Sequence, residues 1–264
     1  MHNRKCQCSM WTALLWGACK SSILLAVANF RGNYMRTFRF WASSLTALIC
    51  SAGLAGCSDD QTALIESLSA RLQHVEDINA IQKVQSKYGH LLFTQRYERI
   101  FAETFAQQRD DVSVEFSDSG VYRGADSVRA LYEAFSATRA IPGFFILHMT
   151  VNPYIEVAAD GQSARSHWLS PGATGSNTSA GWVWGPYYID YIKEGGEWRI
   201  LHSNLAPTFR TSFDTSWAEA TDNGTVRGVI GVEPDAPSTL YQPYFEMKQL
   251  PDLFRNNPEL PEPY

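Results

Sequence analysis

Cysteine is missing from most of this 264-residue chain, because all five cysteines lie at or before Cys57. The rest of the chain therefore contains no internal disulfide, no Cys-x-x-Cys zinc site and no cysteine nucleophile. Several other motifs are also absent from the sequence: His-Glu-x-x-His and His-x-x-His, Gly-x-Ser-x-Gly, and the glycine-rich phosphate loops. We therefore expect no metal ion and no cofactor.

Acidic residues are missing from the first 57 positions, which carry six basic ones. From Cys57 onward the balance reverses, with 16 Lys and Arg against 27 Asp and Glu, a net charge near −11. Nucleic acids are bound through clustered cations, so this balance excludes a nucleic-acid partner. The 45% of hydrophobic residues is enough to form a buried core.

Residues 35–56 have the pattern of a signal peptide, with a basic start, a short apolar stretch and small residues. The segment ends in Leu54-Ala55-Gly56-Cys57, which resembles the bacterial lipobox, where signal peptidase II cuts before a diacylated cysteine. We therefore expect lipidation at Cys57. Ser58 resembles the sorting context of outer-membrane lipoproteins, which implies a protein anchored in the bacterial cell envelope, at the outer membrane and facing the periplasm.

Residues 1–34 do not fit an export signal followed by a second one. Met10 to Phe30 is mostly apolar, so one interpretation is a transmembrane helix. The simpler interpretation is an upstream extension created by a start codon assigned too early, with Met35 as the true first residue.

Apolar residues recur in steps of three and four from Leu64 to Leu91, which predicts one helix that continues to Phe93. We interpret residues 57–76 as the anchor and a helical stalk, or as a short oligomerising segment. Residues 77–220 form the folded domain, with two further helices and a short strand followed by a run of strands. Within that run, Gly172 to Gly181 is expected to be a loop.

This order of elements predicts an α+β fold, with helices on one face of a curved antiparallel sheet. The C-terminal segment, residues 221–264, contains seven of the 12 prolines. Because aromatic residues lie between these prolines, the segment is predicted to pack on the domain rather than to extend into solvent.

The spacing of several short motifs resembles the SnoaL-like branch of the nuclear transport factor 2-like (NTF2-like) superfamily over residues 75–220. The motifs are Ala80-Ile81-Gln82, Tyr122-Arg123-Gly124, Leu147-His148-Met149 and Gly196-Glu197-Trp198-Arg199-Ile200. The resemblance implies a cone whose curved sheet and helices enclose a pocket for a small molecule. It implies no single chemistry, because the family includes dehydratases, dehydrohalogenases, cyclases and isomerases.

His148 matches the position of the general base in the dehydratase-like and dehydrochlorinase-like members. An imidazole in an apolar strand suits proton abstraction near neutral pH, but it is equally consistent with a core histidine that only forms a hydrogen bond. The positions that match the family's aspartate and arginine hold Phe93 and Trp182, which cannot orient an imidazolium or stabilise a leaving anion. The strict dyad mechanism is therefore not expected.

His202 and Tyr88 are the candidate auxiliary residues. If Gly195-Gly196 is a two-residue turn, His202 faces Ile189 and shares a face with Trp198, while Asp190 points away. A one-residue slip would instead move Asp190 onto the face of His202.

The remaining candidates line the expected pocket: Phe93, His90, Trp182, Trp184 and Tyr191. Together they predict a hydrophobic, aromatic-lined site for a small hydrophobic or aromatic molecule. Two functions remain open, a cofactor-independent lyase or isomerase with His148 as base and a non-catalytic ligand-binding or assembly lipoprotein. A homo-oligomer is compatible with both.

Overall fold

The computed structural model describes residues 36–219, 231–252 and 257–261, and side chains from Asp60 onward. The interpretation of residues 1–34, and parts of the predicted C-terminal segment, lie outside the described residues. The chain divides into two compact units, residues 1–66 and 67–264. Of the helices that the structure describes, none has a stretch long and apolar enough to cross a membrane.

The first helix, α1, spans Arg36–Phe93. From Leu68 to Val75 its apolar side chains are exposed, whereas from Asp77 onward one face is buried. The buried face includes Ile81, Tyr88 and Leu91, which join the hydrophobic core. The predicted helix is therefore present, and its two parts have different surroundings.

Three short helices follow, α2 (Tyr97–Thr104), α3 (Gly124–Ala134) and α4 (Tyr244–Met247), with a 3-10 helix at Phe135–Ala140. Apolar side chains at helical spacing form the buried faces of α2 and α3. The buried residues are Tyr97, Ile100, Phe101, Val128, Leu131 and Tyr132.

Eight strands form one sheet. They are β1 (Ser113–Phe116), β2 (Gly120–Arg123), β3 (Phe145–His148), β4 (Val151–Val157), β5 (Ser163–Gly175), β6 (Ala180–Glu194), β7 (Glu197–Leu205) and β8 (Phe209–Ser212). The order across the sheet is β2-β1-β7-β6-β5-β3, with β4 also paired to β5 and β8 also paired to β6. Every pair is antiparallel except β1 with β7.

Helix α1 packs on the inward face of this sheet. Tyr191 on β6 bonds to Gln85 on α1, and the ring of Tyr187 contacts that of Tyr88 with centroids 6.3 Å apart. Helices on one face of a curled, mostly antiparallel sheet confirm the predicted α+β, NTF2-like architecture.

The predicted loop from Gly172 to Gly181 is wrong, because β5 and β6 run through most of it and only residues 176–179 connect them. The glycines there let neighbouring strands approach closely. A Cβ at Gly172 would lie 3.0 Å from the backbone oxygens of Leu147 and Val183, and a Cβ at Gly181 would lie 2.9 Å from the Thr211 oxygen. These glycines are strand residues rather than turn residues.

The described part of the C-terminal segment contacts the domain at several points. Ala236 forms a β-bridge with Val121, and the Tyr244 N–H donates to the Thr208 carbonyl. The carboxylate of Glu115 is buried and accepts hydrogen bonds from residues 238–240, through Ser238 Oγ, Thr239 N, Thr239 Oγ1 and Leu240 N at 2.6–3.1 Å. Residues 231–252 are thus held by backbone pairing and by one buried carboxylate.

Candidate functional site

The register of four strands places one row of residues across the inward face of the sheet. His148 on β3 pairs with Gly172, Gly172 with Val183, and Val183 with Arg210 on β8. Directly opposed residues of antiparallel strands project to the same face. Helix α1 lies close above this row, because a Cβ at Gly89 would lie 3.7 Å from the His148 carbonyl oxygen.

His148 has a buried Nδ1 with no hydrogen-bond partner among the described residues. Burial, and secondly the positive charge of Arg210, lower the pKa of His148 to about 3. The imidazole is therefore neutral at physiological pH. None of its described neighbours is a carboxylate hydrogen-bonded to it, so the dyad that the sequence already disfavoured is not present in the described structure.

Arg210 is the cation closest in effect to this imidazole, and the sequence analysis did not find it. Its Nε donates to Asp118 Oδ2 at 2.6 Å, and both side chains are largely buried. Asp118 lies in the tight turn between β1 and β2, while Arg210 alternates inward between exposed aromatic residues. The charge of Arg210 acts on Tyr187 as well as on His148.

Three tyrosines continue the polar interior. Tyr132 on α3 donates to the Tyr88 hydroxyl at 3.2 Å, and both rings are buried. The Tyr187 hydroxyl is buried without a hydrogen-bond partner among the described residues. Burial raises the pKa of all three hydroxyls, which are therefore protonated donors at neutral pH.

Ser170 belongs to the same face, two residues from Gly172 along β5, and its Oγ is likewise buried and unpaired within the described structure. We call His148, Ser170, Tyr187, Arg210 and Asp118 the interior polar cluster. Buried polar atoms are normally paired, and an unpaired one costs about 1–3 kcal/mol. Unpaired atoms side by side point to a bound molecule or water that would pair with them.

His202 occupies a different place from the predicted one. A bulge after Asp190 shifts the register, so Asp190 rather than Ile189 faces His202. The shift turns His202 to the side opposite Trp198, which is buried. The predicted face of His202 is wrong, and the slipped alternative describes its pairing with Asp190.

This histidine forms the carboxylate pair that His148 lacks. Its Nδ1 lies 3.0 Å from Asp190 Oδ2 and its Nε2 lies 3.0 Å from the Asp111 carbonyl. The hydrogen bond to Asp190 raises the pKa of His202. Because both ring nitrogens are occupied, His202 holds β7 to the segment before β1 instead of facing the interior.

The predicted grouping of Trp182 and Trp184 with Tyr191 is also corrected. Odd-numbered residues of β6 from Val183 to Tyr191 face inward, so Trp182 and Trp184 project outward and are 41% and 46% exposed. Trp184 stacks on Phe209 and borders an outer groove of about 530 Å³. Tyr191 is buried against α1.

His90 and Phe93 lie on the exposed face of α1, where half of the Phe93 surface is in solvent. Leu92, rather than Phe93, is the buried residue of the last turn. The predicted wall of the pocket is therefore wrong at Phe93, because a helix turns 100° per residue and the inward stripe passes through Tyr88 and Leu92.

A second paired carboxylate lies at the other end of the domain. Asp77 is buried and accepts hydrogen bonds from Lys193 Nζ and Trp198 Nε1, each at 2.8 Å. Burial alone would raise the pKa of Asp77, but these bonds and the charge of Lys193 hold it below its ordinary value. This arrangement ties α1 to the β6–β7 hairpin. Among the described residues, no group of three or more His, Cys, Asp or Glu could hold a metal ion.

Known structures resemble the domain only distantly. A candidate scytalone dehydratase from Novosphingobium aromaticivorans is 18% identical, with a TM-score of 0.46 over 58% of this chain and 97% of that chain. A hexachlorocyclohexane dehydrochlorinase from Novosphingobium barchaimii is 16% identical, with a TM-score of 0.46 over 55% and 95%. A protein of unknown function from Mycobacterium tuberculosis is 26% identical, with a TM-score of 0.43 over 51% and 73%.

No curated protein is significantly similar to the chain in sequence. The model of the SnoaL-like domain, in contrast, matches residues 73–204, which is half of the chain. The matched range begins just before the buried part of α1 and ends at the end of β7. With this match and the fold described above, the chain belongs to the SnoaL-like domain family of the NTF2-like superfamily.

Proposed function

We propose that this SnoaL-like domain binds a small, mainly apolar organic molecule that carries at least one hydroxyl or carbonyl group. The observation that carries the proposal is the interior polar cluster, where His148 Nδ1, Ser170 Oγ and Tyr187 Oη are buried without partners in the described structure. A ligand that pairs with these atoms would remove the cost of leaving them unpaired.

The apolar character of the ligand follows from the side chains that share the face of the cluster. Ile146 lies two residues before His148, and Val183 stands between Gly172 and Arg210; both are buried. A site with apolar walls and a few convergent polar groups is typical of small-molecule binding.

Calorimetric titration of the full chain with 2-naphthol and with naphthalene tests this function. We expect 2-naphthol to bind the wild type more tightly than naphthalene, which has the same ring system without a hydroxyl. His148→Leu and Tyr187→Phe should each weaken 2-naphthol binding about tenfold, the effect of one buried hydrogen bond, and leave naphthalene binding nearly unchanged.

His167→Leu is the matched control, because His167 borders the outer groove and not the interior face. It should leave both affinities as in the wild type. Equal loss in His167→Leu, or no loss in the two interior variants, would place the binding site elsewhere and reject the proposal.

A second function, a cofactor-independent lyase or isomerase reaction, is favoured by one observation. A neutral imidazole at His148 lies near enough to Arg210 for its charge to be felt, so a proton could pass from substrate carbon to Nδ1 while the guanidinium stabilises the resulting enolate. A pKa of about 3 makes His148 a weak base without a carboxylate to orient it. Any turnover should therefore be slow, and ligand binding is the better-supported function.

Exchange of the α-protons of 2-tetralone with deuterated water, followed by proton NMR, tests for this chemistry. We expect protein-catalysed exchange whose rate per protein molecule is flat between about pH 5 and 8, because a base of pKa about 3 is already unprotonated there. His148→Leu should abolish the exchange. Exchange that persists in this variant removes His148 as the base.

The lipid anchor at Cys57 is part of the same proposal and rests on the lipobox sequence. Acyl chains on Cys57 would hold the domain at the cell envelope, on the periplasmic side of the outer membrane. In a Gram-negative host, Cys57→Ser should move the chain out of the outer-membrane fraction, whereas Ser69→Ala, an exposed change on α1, should not. A Cys57→Ser chain that is still processed and membrane-bound contradicts the anchor.

A further inference from the structure

One face of α1 has apolar side chains that the domain does not cover. Leu68, Leu72 and Val75 are 50%, 59% and 53% exposed. On a helix with 100° per residue these three lie within an arc of about 60°, roughly opposite the buried stripe of Ile81 and Tyr88. The SnoaL-like domain therefore packs on one side of the helix and leaves this face to solvent.

The spacing along this face is that of a coiled coil. Leu68, Leu72 and Val75 are separated by four and three residues, and in the sequence Ile65 precedes Leu68 by three. These steps match positions a-d-a-d of the heptad, with Leu72 at a and Val75 at d. The next a position holds Asn79, a polar residue that in such seams fixes register and the number of strands.

The charges beside the seam select the partner and its direction. Arg71 occupies a g position and Glu76 the following e position, and both are exposed. In a parallel pair, g of one chain meets the following e of the other, so Arg71 faces Glu76 of the second copy in two equivalent contacts. An antiparallel pair would bring like positions together and lose both contacts.

We propose that α1 forms a short parallel two-stranded coiled coil with a second copy of this chain, along Ile65, Leu68, Leu72 and Val75. A parallel pair also points both amino-terminal ends in the same direction, as two chains anchored at Cys57 in one membrane require. Anchoring raises the effective concentration of the copies, which helps a seam of only two heptads to associate.

Cysteine crosslinking of the full chain in isolated membranes tests the pairing and its direction. In a parallel pair, Leu68 of one copy lies beside Leu68 of the other, within the reach of a disulfide. Mild oxidation of Leu68→Cys should give covalent dimer at several times the level of the unsubstituted chain, which measures the contribution of the native cysteines. Ser86→Cys, also exposed but beyond the seam, should stay at that background level.

An antiparallel pair over the same seam would instead join Leu68→Cys to Leu72→Cys in mixed samples, with little homotypic product. That outcome overturns the parallel arrangement. Dimer at the background level for both single variants overturns the coiled coil itself. Since Leu68 is exposed, its substitution leaves the core intact, and circular dichroism checks that the variants fold.

Charge exchange gives an independent measurement with two differently tagged full-length copies in one membrane. Arg71→Glu alone, or Glu76→Arg alone, should lower co-purification several-fold by placing like charges opposite each other. The double variant Arg71→Glu/Glu76→Arg should restore it. A double variant no better than the single ones contradicts the predicted contact between the two copies.

Discussion

Two sets of buried polar groups in this domain differ in how well they are paired. The carboxylates of Asp77 and Glu115 each accept several hydrogen bonds from neighbouring elements. In the interior polar cluster, by contrast, His148 and Tyr187 keep polar atoms without partners in the described structure. The paired set joins parts of the chain, whereas the unpaired set faces the space between helix and sheet.

This difference separates groups that stabilise the fold from groups that the fold leaves available. A buried carboxylate whose partners are in place contributes to stability, and removing it leaves those partners unsatisfied. An unpaired imidazole or hydroxyl lowers stability in the ligand-free protein. Substitutions in the two sets should therefore change the free energy of unfolding in opposite directions.

The largest effect is expected at Asp77. Asp77→Ala leaves Lys193 and the Trp198 indole N–H buried without their acceptor, so the free energy of unfolding should fall by about 3–5 kcal/mol. Urea denaturation at pH 7 measures this change. Asp126→Ala is the matched control, because the Asp126–Arg129 pair is fully exposed at the carboxylate and its loss should change stability little.

The contribution of Asp77 should also depend on pH. Because its folded pKa is below the ordinary value near 4, the contribution is complete above about pH 4 and is lost as the pH falls through the folded pKa. The difference between wild type and Asp77→Ala should therefore shrink in strong acid. A difference that stays constant down to pH 2 would show that the lost stability is not that of the carboxylate.

Glu115→Ala should have the next largest effect. It removes the acceptor for Ser238, Thr239 and Leu240, with an expected loss of about 2–3 kcal/mol. Hydrogen exchange should show faster exchange at residues 231–252, while amides of β5 and β6 remain protected. The exposed Glu197→Ala provides the comparison. Unchanged exchange in residues 231–252 would mean that backbone pairing at Val121 holds the segment without Glu115.

His148 should make the protein sensitive to mild acid. The unfolded chain binds a proton at this imidazole below about pH 6.5, whereas the folded protein does so only near its pKa of about 3. Stability should therefore fall as the pH drops from 6.5 towards 3, by about 1–2 kcal/mol at pH 5. His148→Leu should lack this part of the pH dependence. Identical stability profiles for both proteins would refute the lowered pKa.

The smallest effects distinguish two tyrosines that differ only in pairing. Tyr132→Phe loses the hydrogen bond to Tyr88 and should cost about 1 kcal/mol. Tyr187→Phe removes an unpaired hydroxyl and should leave stability unchanged or raise it by up to about 1 kcal/mol. Thermal and urea unfolding of both variants measure the difference. A larger loss for Tyr187→Phe would show that this hydroxyl is paired in solution.

The local pattern of the sequence was sufficient for the helices and most strands. Apolar steps of three and four predicted the buried faces of α2 and α3, which contain Ile100 and Leu131. Alternation predicted β1, and the Gly195-Gly196 turn predicted Tyr191 opposite Ile200, as observed. Glycine was misinterpreted between Gly172 and Gly181, since turn formation and close strand approach place the same demand for a missing side chain on the sequence.

The candidate site was predicted less well, because its members come from separate elements. His148 and Tyr88 were chosen from the sequence, and both are buried beside other polar groups. Arg210 and Asp118 have no local spacing in common; the pairing of β8 with β6 and the turn after β1 bring them together. Inward or outward direction on β6 was available from alternation, but which set of residues faced the helices was not.

The sequence by itself determined the α+β class, the family and the run of helices and strands, because periodicity and turn residues act over a few positions. Only the tertiary structure decided that His202 pairs with Asp190, that Trp182 faces outward and that Arg210 acts on His148. A single bulge reverses the face of every later residue in a strand, and contacts between distant strands depend on register. Chemistry at the candidate site depends on those contacts and therefore on the folded chain.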